Sequence, residues 1–156
     1  MKKKIDNIDG KIIALLQMDG RMPNKRIAEK VGIAESTVRS RLDKLIKNRL
    51  IRIVAVSEPF DLGFEIAGNI KINIDIKKVD NVLKKLKDMK EIWYAVMTTG
   101  RIDIDADFIV ESREELRTLI LDKINKIDGV NTTETAMIVE FIKKEYTWGT
   151  GENAMT

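Results

Sequence analysis

Residues 24–47 read NKRIAEKVGIAESTVRSRLDKLIK, and their spacing decides how the first part of the chain folds. Ala28, Gly32 and Val38 follow one another at intervals of four and six residues. In a helix-turn-helix unit a small residue lets the second helix cross closely, a glycine permits the sharp turn, and a valine packs the second helix onto the first. The stretch therefore predicts two helices that are joined by a tight turn at Gly32.

A further helix precedes this pair. Ile8, Ile12 and Leu16 recur at helical spacing and give their segment one apolar face. Asp6 can cap its first turn, and Asp19-Gly20 can end it. The predicted helices in this part of the chain are Asn7–Met18, Asn24–Val31 and Glu35–Lys47. We therefore expect a three-helix domain of the winged helix-turn-helix type over residues 1–50.

The charges of the chain are unevenly distributed. The 156 residues carry a formal net charge of +3. Residues 1–52 hold 14 Lys and Arg against 6 Asp and Glu, whereas residues 53–156 hold 14 against 19. Small domains vary in charge by chance, but a basic segment joined to an acidic one favours contact between the basic segment and a polyanion.

The exposed face of the third helix carries much of this positive charge. In a helix-turn-helix the N-terminal end of that helix reads base edges, and cations around it hold phosphates. The residues expected to contact double-stranded DNA are Asn24, Lys25, Glu35, Ser36, Thr37, Arg39, Ser40, Arg41, Lys44, Lys47 and Arg49. Lys2–Lys4 can reach phosphates as a short arm or serve only to solubilise the N-terminus. The alternative interpretation is an ordinary solvated helix face. The two acids of this helix, Glu35 and Asp43, are too few to neutralise its cations, which favours contact with DNA.

The hydrophobic pattern changes beyond this domain. Residues 50–57, LIRIVAVS, are typical of a strand, and residues 58–63 interrupt the pattern, so we expect a connector over residues 51–65. From Ile66 onward apolar and polar residues alternate. The predicted elements are a strand through Ile70–Ile76, a helix Val79–Lys87, a strand Ile92–Thr98, a strand through Ile102–Phe108, a helix Arg113–Ile127 and a strand Thr135–Ile142.

This β-α-β-β-α-β order predicts a ferredoxin-like domain over residues 66–145, which makes the whole chain α+β. An antiparallel sheet with both helices on one face leaves the other face open, so two copies can pair through that face or through sheet edges. Residues 146–156 lack periodicity, and we expect a tail that is mobile or held only by Trp148.

The composition disfavours several classes of function. The chain has no cysteine and no histidine, which removes disulfides, thiolate metal sites and the commonest general base. We therefore expect no enzyme, no metal and no cofactor. No apolar stretch is long enough for a membrane helix, and no apolar run follows the first lysines, so we expect a cytoplasmic protein.

These residues resemble the Lrp/AsnC family, the leucine-responsive or feast/famine regulators, over nearly the whole chain. The matching patterns are Ile5-Asp6-x-x-Asp9-x-x-Ile12-Ile13-x-x-Leu16-Gln17-x-Asp19-Gly20-Arg21, Ile27-Ala28-x-x-Val31-Gly32-Ile33-x-x-Ser36-Thr37-Val38-x-x-Arg41-Leu42-x-x-Leu45, Ile51 through Leu62-Gly63, Thr99-Gly100-x-x-Asp103, and Asp128-Gly129-Val130 with Thr133-Glu134-Thr135.

The resemblance implies a second domain of the RAM or ACT-like type that pairs into homodimers, often further into octamers. It also implies that an amino acid or related metabolite binds between sensing domains of different subunits. Carried over position by position, the implied effector-binding residues are Thr99, Gly100, Asp103, Thr133 and Thr135. Gly100 can equally be a plain turn glycine, and Asp103 can belong to the wet face of a strand.

Three positions depart from the family pattern. Ala34 and Pro23 stand where serine caps are usual, and Arg49 stands where a glycine usually follows the recognition helix. That last site often requires a left-handed backbone, so either Asn48 adopts this conformation or Arg49 is kept for a phosphate. The departures concern the ends of the helices and leave the predicted fold unchanged.

The expected function is a sequence-specific transcriptional regulator whose DNA affinity or oligomeric state responds to an amino acid. The first alternative is an architectural protein that wraps DNA with little choice of sequence and has no effector. The second is an enzyme acting on tetrapyrroles, as some relatives of this two-domain plan are. Those activities depend on histidine, which this chain lacks.

Overall fold

The computed structural model describes residues 5–150 of the chain. It contains two compact units: a helical unit of residues 5–56 together with 143–150, and a sheet unit of residues 57–142. The chain therefore leaves the helical unit once and returns to it. The predicted arm Lys2–Lys4 and residues 151–156 of the predicted tail lie outside the described residues.

The helical unit contains the three predicted helices with their predicted bounds. They are α1 (Asn7–Met18), α2 (Asn24–Val31) and α3 (Glu35–Lys47). Ile12, Ile27 and Val38, one from each helix, are fully buried and form the centre of the core. Burying three branched apolar side chains is the main source of stability in so small a unit.

The ends of α2 and α3 show how the chain accommodates the residues that depart from the family pattern. Gly32 has a φ of 78° and makes the predicted turn. Neither Pro23 nor Ala34 provides a side-chain cap. Arg49 itself takes the left-handed conformation, with a φ of 56°, whereas Asn48 has a φ of −81°. A left-handed non-glycine residue costs about 1 kcal/mol, which this helix end tolerates.

The sheet unit has the predicted β-α-β-β-α-β order. Its elements are β1 (Ile66–Ile74), α4 (Val79–Lys87), β2 (Ile92–Met97), β3 (Ile104–Val110), α5 (Arg113–Arg117), which continues as a π-helix over Thr118–Ile124, and β4 (Val130–Met137). The strands form one antiparallel sheet in the order β2-β3-β1-β4. Its core contains Phe108, Ile72 and Leu119, all fully buried, so the helices cover one face of the sheet.

Two predicted strands are wrong: one does not form, and the other lies earlier in the chain than expected. The strand predicted over residues 50–57 does not form, and Ile53, Val54 and Val56 are exposed. The last strand is Val130–Met137, not Thr135–Ile142. It begins directly after the Gly129 turn and pairs with β1 up to Met137. The strand therefore ends before the apolar residues Val139 and Ile142.

Smaller differences concern the ends of elements. Ile76 lies in a short 3-10 helix, Ile76–Lys78, because the Asp75 carboxylate accepts a hydrogen bond from the Lys77 backbone N–H and ends β1 there. A second 3-10 helix, Phe60–Leu62, lies in the connector. Within residues 5–150 no helix combines the length and apolar composition that crossing a membrane requires.

The described part of the tail is held by its backbone. The Gly149 N–H donates to Gln17 Oε1 at 3.0 Å, and Gln17 Nε2 donates to the Gly149 carbonyl at 3.4 Å. Trp148, the expected attachment point, is 59% exposed and contacts the ring of Tyr146 edge-on. The expectation of attachment only through Trp148 is therefore wrong, because the paired polar groups of Gln17 and Gly149 hold this segment to α1.

Candidate nucleic-acid interface and sensing site

The recognition face is the exposed N-terminal half of α3. Val38 and Leu45 point into the core and fix which side of α3 faces outward. Ser36, Thr37 and Ser40 are exposed on the outward side. All the residues expected to contact DNA are exposed except Asn24 and Arg41, which are half-buried. The face that the sequence predicts is thus available to a large ligand.

The same face borders a groove of about 560 Å³. Its lining residues are Asp9, Ser36, Thr37, Ser40, Arg41, Lys44, Leu45, Asn48 and Leu50. Five of them are predicted DNA contacts, whereas the other four, Asp9, Leu45, Asn48 and Leu50, were not expected at this surface. From the sequence, Asp9 could be recognised only as a capping residue of α1. Its place beside α3 could not be predicted, because the two are far apart along the chain.

The cations of α3 differ in how they are paired. Arg39 reaches Glu35 at 3.3 Å along the helix surface, but both side chains are largely exposed, so the pair is weak. Among residues 5–150 no ion pair forms at Lys44, Lys47 or Arg49. These three cations are free to meet phosphates.

Arg41 is paired on both sides. Its Nη1 donates to Asp6 Oδ2 at 2.6 Å and to Asp9 Oδ1 at 2.9 Å. The pKa of Asp6 lies below its ordinary value, first because its carboxylate accepts the Asp9 backbone N–H and second because it accepts from Arg41. The two carboxylates in turn raise the pKa of Arg41. The N-terminus of α1 is thereby tied to the recognition helix.

The predicted effector turn connects β2 to β3. Gly100 has a φ of 119°, in the region that favours glycine. The Asp103 carboxylate accepts a hydrogen bond from the Ile74 backbone N–H at 2.8 Å, through Oδ2. The Asp103 N–H donates to the Ile72 carbonyl at 3.2 Å, so both the side chain and the backbone of Asp103 are bound to β1. The turn is held in place at its Asp103 end.

A cavity of about 350 Å³ lies beside this turn. Its lining residues are Lys71, Asn73, Arg101, Ile102, Thr132, Thr133 and Glu134. Of the predicted effector residues only Thr133 is among them. Thr99, Gly100, Asp103 and Thr135 do not line the cavity, although Arg101 and Ile102 connect Gly100 to Asp103 along the chain.

The strand register shows which face of the sheet each residue of β4 lies on. Thr133 lies opposite Ile72 and Thr135 opposite Ile70, so both threonines share the face that the helices cover. Glu134 lies opposite Lys71, on the other face. Sequence reasoning missed Lys71 and Glu134, although the alternation of Lys71 with Ile70 and Ile72 already placed this lysine on the open face.

A basic helix-turn-helix and a βαββαβ sheet unit on one chain define a class of two-domain DNA-binding regulators. Residues 5–46 match the AsnC-type helix-turn-helix domain, and residues 69–148 match the Lrp/AsnC ligand binding domain. The chain belongs to the Lrp/AsnC family of transcriptional regulators. Its relatives are transcriptional regulators, not enzymes.

Relatives and solved structures agree with this assignment. An uncharacterized HTH-type transcriptional regulator of Pyrococcus furiosus is 38% identical over 146 residues, which cover 93% of this chain and 96% of the relative. The regulator FL11 of the same organism is 37% identical over 148 residues, covering 94% and 97%. The structure of Escherichia coli AsnC has a TM-score of 0.79 at 26% identity and covers 92% of this chain and 97% of its own.

The fold also matches a more distant structure. A transcriptional regulator from Neisseria meningitidis, solved as a complex with L-Met, has a TM-score of 0.84 at 19% identity. The match covers 96% of this chain and 99% of the other. The likeness supports the fold.

Proposed function

We propose that this regulator reads a specific DNA sequence with α3. The observation that carries the proposal is the outward face of the first half of that helix, where Ser36, Thr37, Arg39 and Ser40 are exposed while Val38 is fully buried. In the major groove an arginine side chain donates hydrogen bonds to base edges, and a hydroxyl group donates or accepts them. A rigid core behind the helix keeps these groups in a fixed arrangement, which sequence readout requires.

Phosphate contacts surround this face. Lys44, Lys47 and Arg49 extend it toward the C-terminal end of α3, and Lys25 stands at the start of α2. Asn24 is the first residue of α2, so its backbone N–H belongs to the helix end that attracts anions. Glu35 can accept from a cytosine amine or hold Arg39 in place.

We further propose that copies of the chain assemble as homodimers, and dimers as octamers, through the sheet units. The open face of the sheet and the exposed apolar side chains of Ile53, Val54 and Val56 support self-association. A two-fold dimer presents two copies of α3, so its operator is a pseudo-palindrome with half-sites about one helical turn apart. We also propose that the regulator acts in the cytoplasm.

An amino acid or related metabolite is the proposed effector, held near the turn that contains Gly100. A zwitterion needs a carboxylate for its ammonium and donors for its own carboxylate. Asp103 can supply the first and the Gly100 turn the second. Thr99 precedes this turn, and Thr133 and Thr135 lie on β4, which β1 separates from β3. The adjacent cavity adds Arg101 and Lys71 as cations and Glu134 as a second acid.

Base reading predicts that Thr37→Ala and Arg39→Ala lose selectivity. On a duplex selected from random DNA each variant should bind about 10-fold more weakly, because each base contact contributes about 1–3 kcal/mol of discrimination. On random DNA the affinity should change much less. Fluorescence anisotropy on both duplexes checks this. The control is Glu29→Ala, since Glu29 is an exposed residue of α2 and not a predicted DNA contact. Equal losses on both duplexes would contradict base reading by these residues.

Effector binding predicts that one or a few amino acids stabilise the protein against heat. A ligand at about 100 times its Kd adds about 2.7 kcal/mol to the free energy of unfolding, which a thermal-shift screen of the twenty amino acids detects. Asp103→Asn should abolish the response, because the amide oxygen still accepts the Ile74 N–H but the charge for the ammonium is gone. Asp61→Asn in the connector is the control. If no amino acid shifts the melting temperature, the proposed effector site is wrong.

A further inference from the structure

We propose that Arg41 is a positioning residue: it fixes the recognition helix to the N-terminus of α1 and does not neutralise a phosphate. The inference rests on the proposed reading of DNA by α3 and gives one of its basic residues a different task. Arg41 has 27% of its side chain exposed, whereas Arg39, two residues earlier on the outward side of the helix, has 67%.

The geometry around Arg41 uses every oxygen of the α1 capping box. Asp6 Oδ1 accepts the Asp9 N–H at 2.8 Å, and Asp9 Oδ2 accepts the Asp6 N–H at 3.3 Å, which caps the helix. The two remaining oxygens, Asp6 Oδ2 and Asp9 Oδ1, both accept from Arg41 Nη1. A rigid cap thus holds the guanidinium, because neither carboxylate can turn away without losing a backbone hydrogen bond.

The charges at this point oppose a phosphate contact. One guanidinium lies between two carboxylates, so the cluster of Asp6, Asp9 and Arg41 has a net negative charge. The lowered pKa of Asp6 keeps its carboxylate ionised at neutral pH. A DNA phosphate would have to compete with two acids for Arg41 and would meet their repulsion. Binding DNA therefore releases no counterion through this residue.

The position of the anchor gives it influence over base reading. Arg41 follows Thr37 by one helical turn and precedes Lys44 by three residues, and all three line the same groove with Asp9. Holding Arg41 against Asp9 sets the separation of α1 from α3 along this groove. Losing the anchor allows α3 to shift or roll, which moves Thr37 and Arg39 relative to the bases while leaving Lys44 and Lys47 charged.

Lys44 provides the matched comparison, since it lines the same groove and has no ion pair among the described residues. The experiment measures the affinity of the full chain for a selected duplex and for random DNA over a series of salt concentrations. Lys44→Gln should lower the slope of log K against log salt by about 0.9, the value for one phosphate. Arg41→Gln should leave the slope unchanged while lowering affinity for the selected duplex about 10-fold, as a misplaced base contact does.

Two further variants keep the test decisive if Arg41→Gln fails to fold. Arg41→Lys keeps the charge and one of the two bonds, so it should recover part of the selectivity. Asp9→Asn removes the charge of one of the two acids that hold Arg41 and makes the chain more positive, yet positioning predicts weaker binding to the selected duplex. A phosphate role for Arg41 predicts the opposite sign, stronger binding to all DNA.

The outcomes separate this inference from the proposed function. If Arg41→Gln lowers the salt slope as Lys44→Gln does, or if Asp9→Asn strengthens binding to all DNA, Arg41 is a phosphate contact and the inference is overturned. If the unaltered chain selects no sequence and Lys44→Gln leaves the slope unchanged, the proposed reading by α3 fails first. Circular dichroism and thermal unfolding of each variant show whether a loss of binding reflects a loss of structure.

Discussion

Reversing two charges, with Lys44→Glu and Lys47→Glu together, should weaken binding to DNA of every sequence about 100-fold at moderate salt, since it replaces two phosphate contacts with two repulsions. Both lysines are exposed in the last turns of α3 and have no ion pair among residues 5–150. The slope of log K against log salt should fall by about two, because two fewer counterions are released. Titration of a fluorescent duplex at several salt concentrations measures both quantities.

The control for this double variant is Lys84→Glu with Lys85→Glu on α4. It changes the net charge of the chain by the same amount, but on an exposed helix of the sheet unit. If the electrostatic surface for DNA lies on α3, the α4 variant retains most of its affinity. Equal weakening by the two double variants would show that only total charge matters and would remove the specific role of α3.

Truncating the core of the helical unit, with Ile27→Ala, should lower its free energy of unfolding by about 3 kcal/mol. Ile27 is fully buried between the helices, so removing its larger side chain leaves a cavity. A unit of this size has little stability to lose, and DNA binding should disappear at temperatures that the unaltered chain tolerates. Denaturant unfolding followed by circular dichroism measures the loss.

Ile46→Ala is the matched control, because Ile46 is 44% exposed on α3 and its truncation should change stability by less than about 1 kcal/mol. Assembly should survive Ile27→Ala, since the core of the sheet unit is a separate cluster around Phe108 and Ile72. Light scattering that shows dissociation of the Ile27 variant along with lost DNA binding would contradict the separation of the two cores.

The three helices of the helical unit could be predicted with their bounds because their signals are local. The helix predicted over Arg113–Ile127 instead changes to a π-helix after Arg117 and ends at Ile124. Asp6 and Asp9 specify the start of α1, and Gly32 specifies the end of α2, each through contacts within a few residues. Capping and turn geometry depend on the neighbouring backbone alone, so one sequence suffices to recognise them.

The strands were harder to predict because their ends are set by pairing. Apolar residues continue past Met137 through Val139 and Ile142, yet these are 98% and 94% exposed and lie beyond the strand. Residues 50–57 have the composition of a strand but form none. Hydrophobic alternation indicates that a segment can form a strand, whereas its register depends on residues far along the chain.

The candidate sites show the same division. The outward face of α3 follows from helical periodicity, so Ser36 and Thr37 could be placed from the sequence. The pairing of Arg41 with Asp6 could not, because 35 positions separate the two residues. The cavity that contains Lys71, Arg101 and Glu134 likewise joins a loop to two strands, and no local motif indicates it.

The most direct test of the central claim is a selection from random double-stranded DNA by the purified full chain, followed by sequencing of the bound fraction. Reading by α3 in a two-fold dimer predicts an enriched pseudo-palindrome with half-sites about one helical turn apart. The Thr37→Ala and Arg39→Ala variants should recover a degraded motif at defined positions. Binding that enriches no motif would contradict sequence-specific reading and favour an architectural role, and the absence of DNA binding would contradict both.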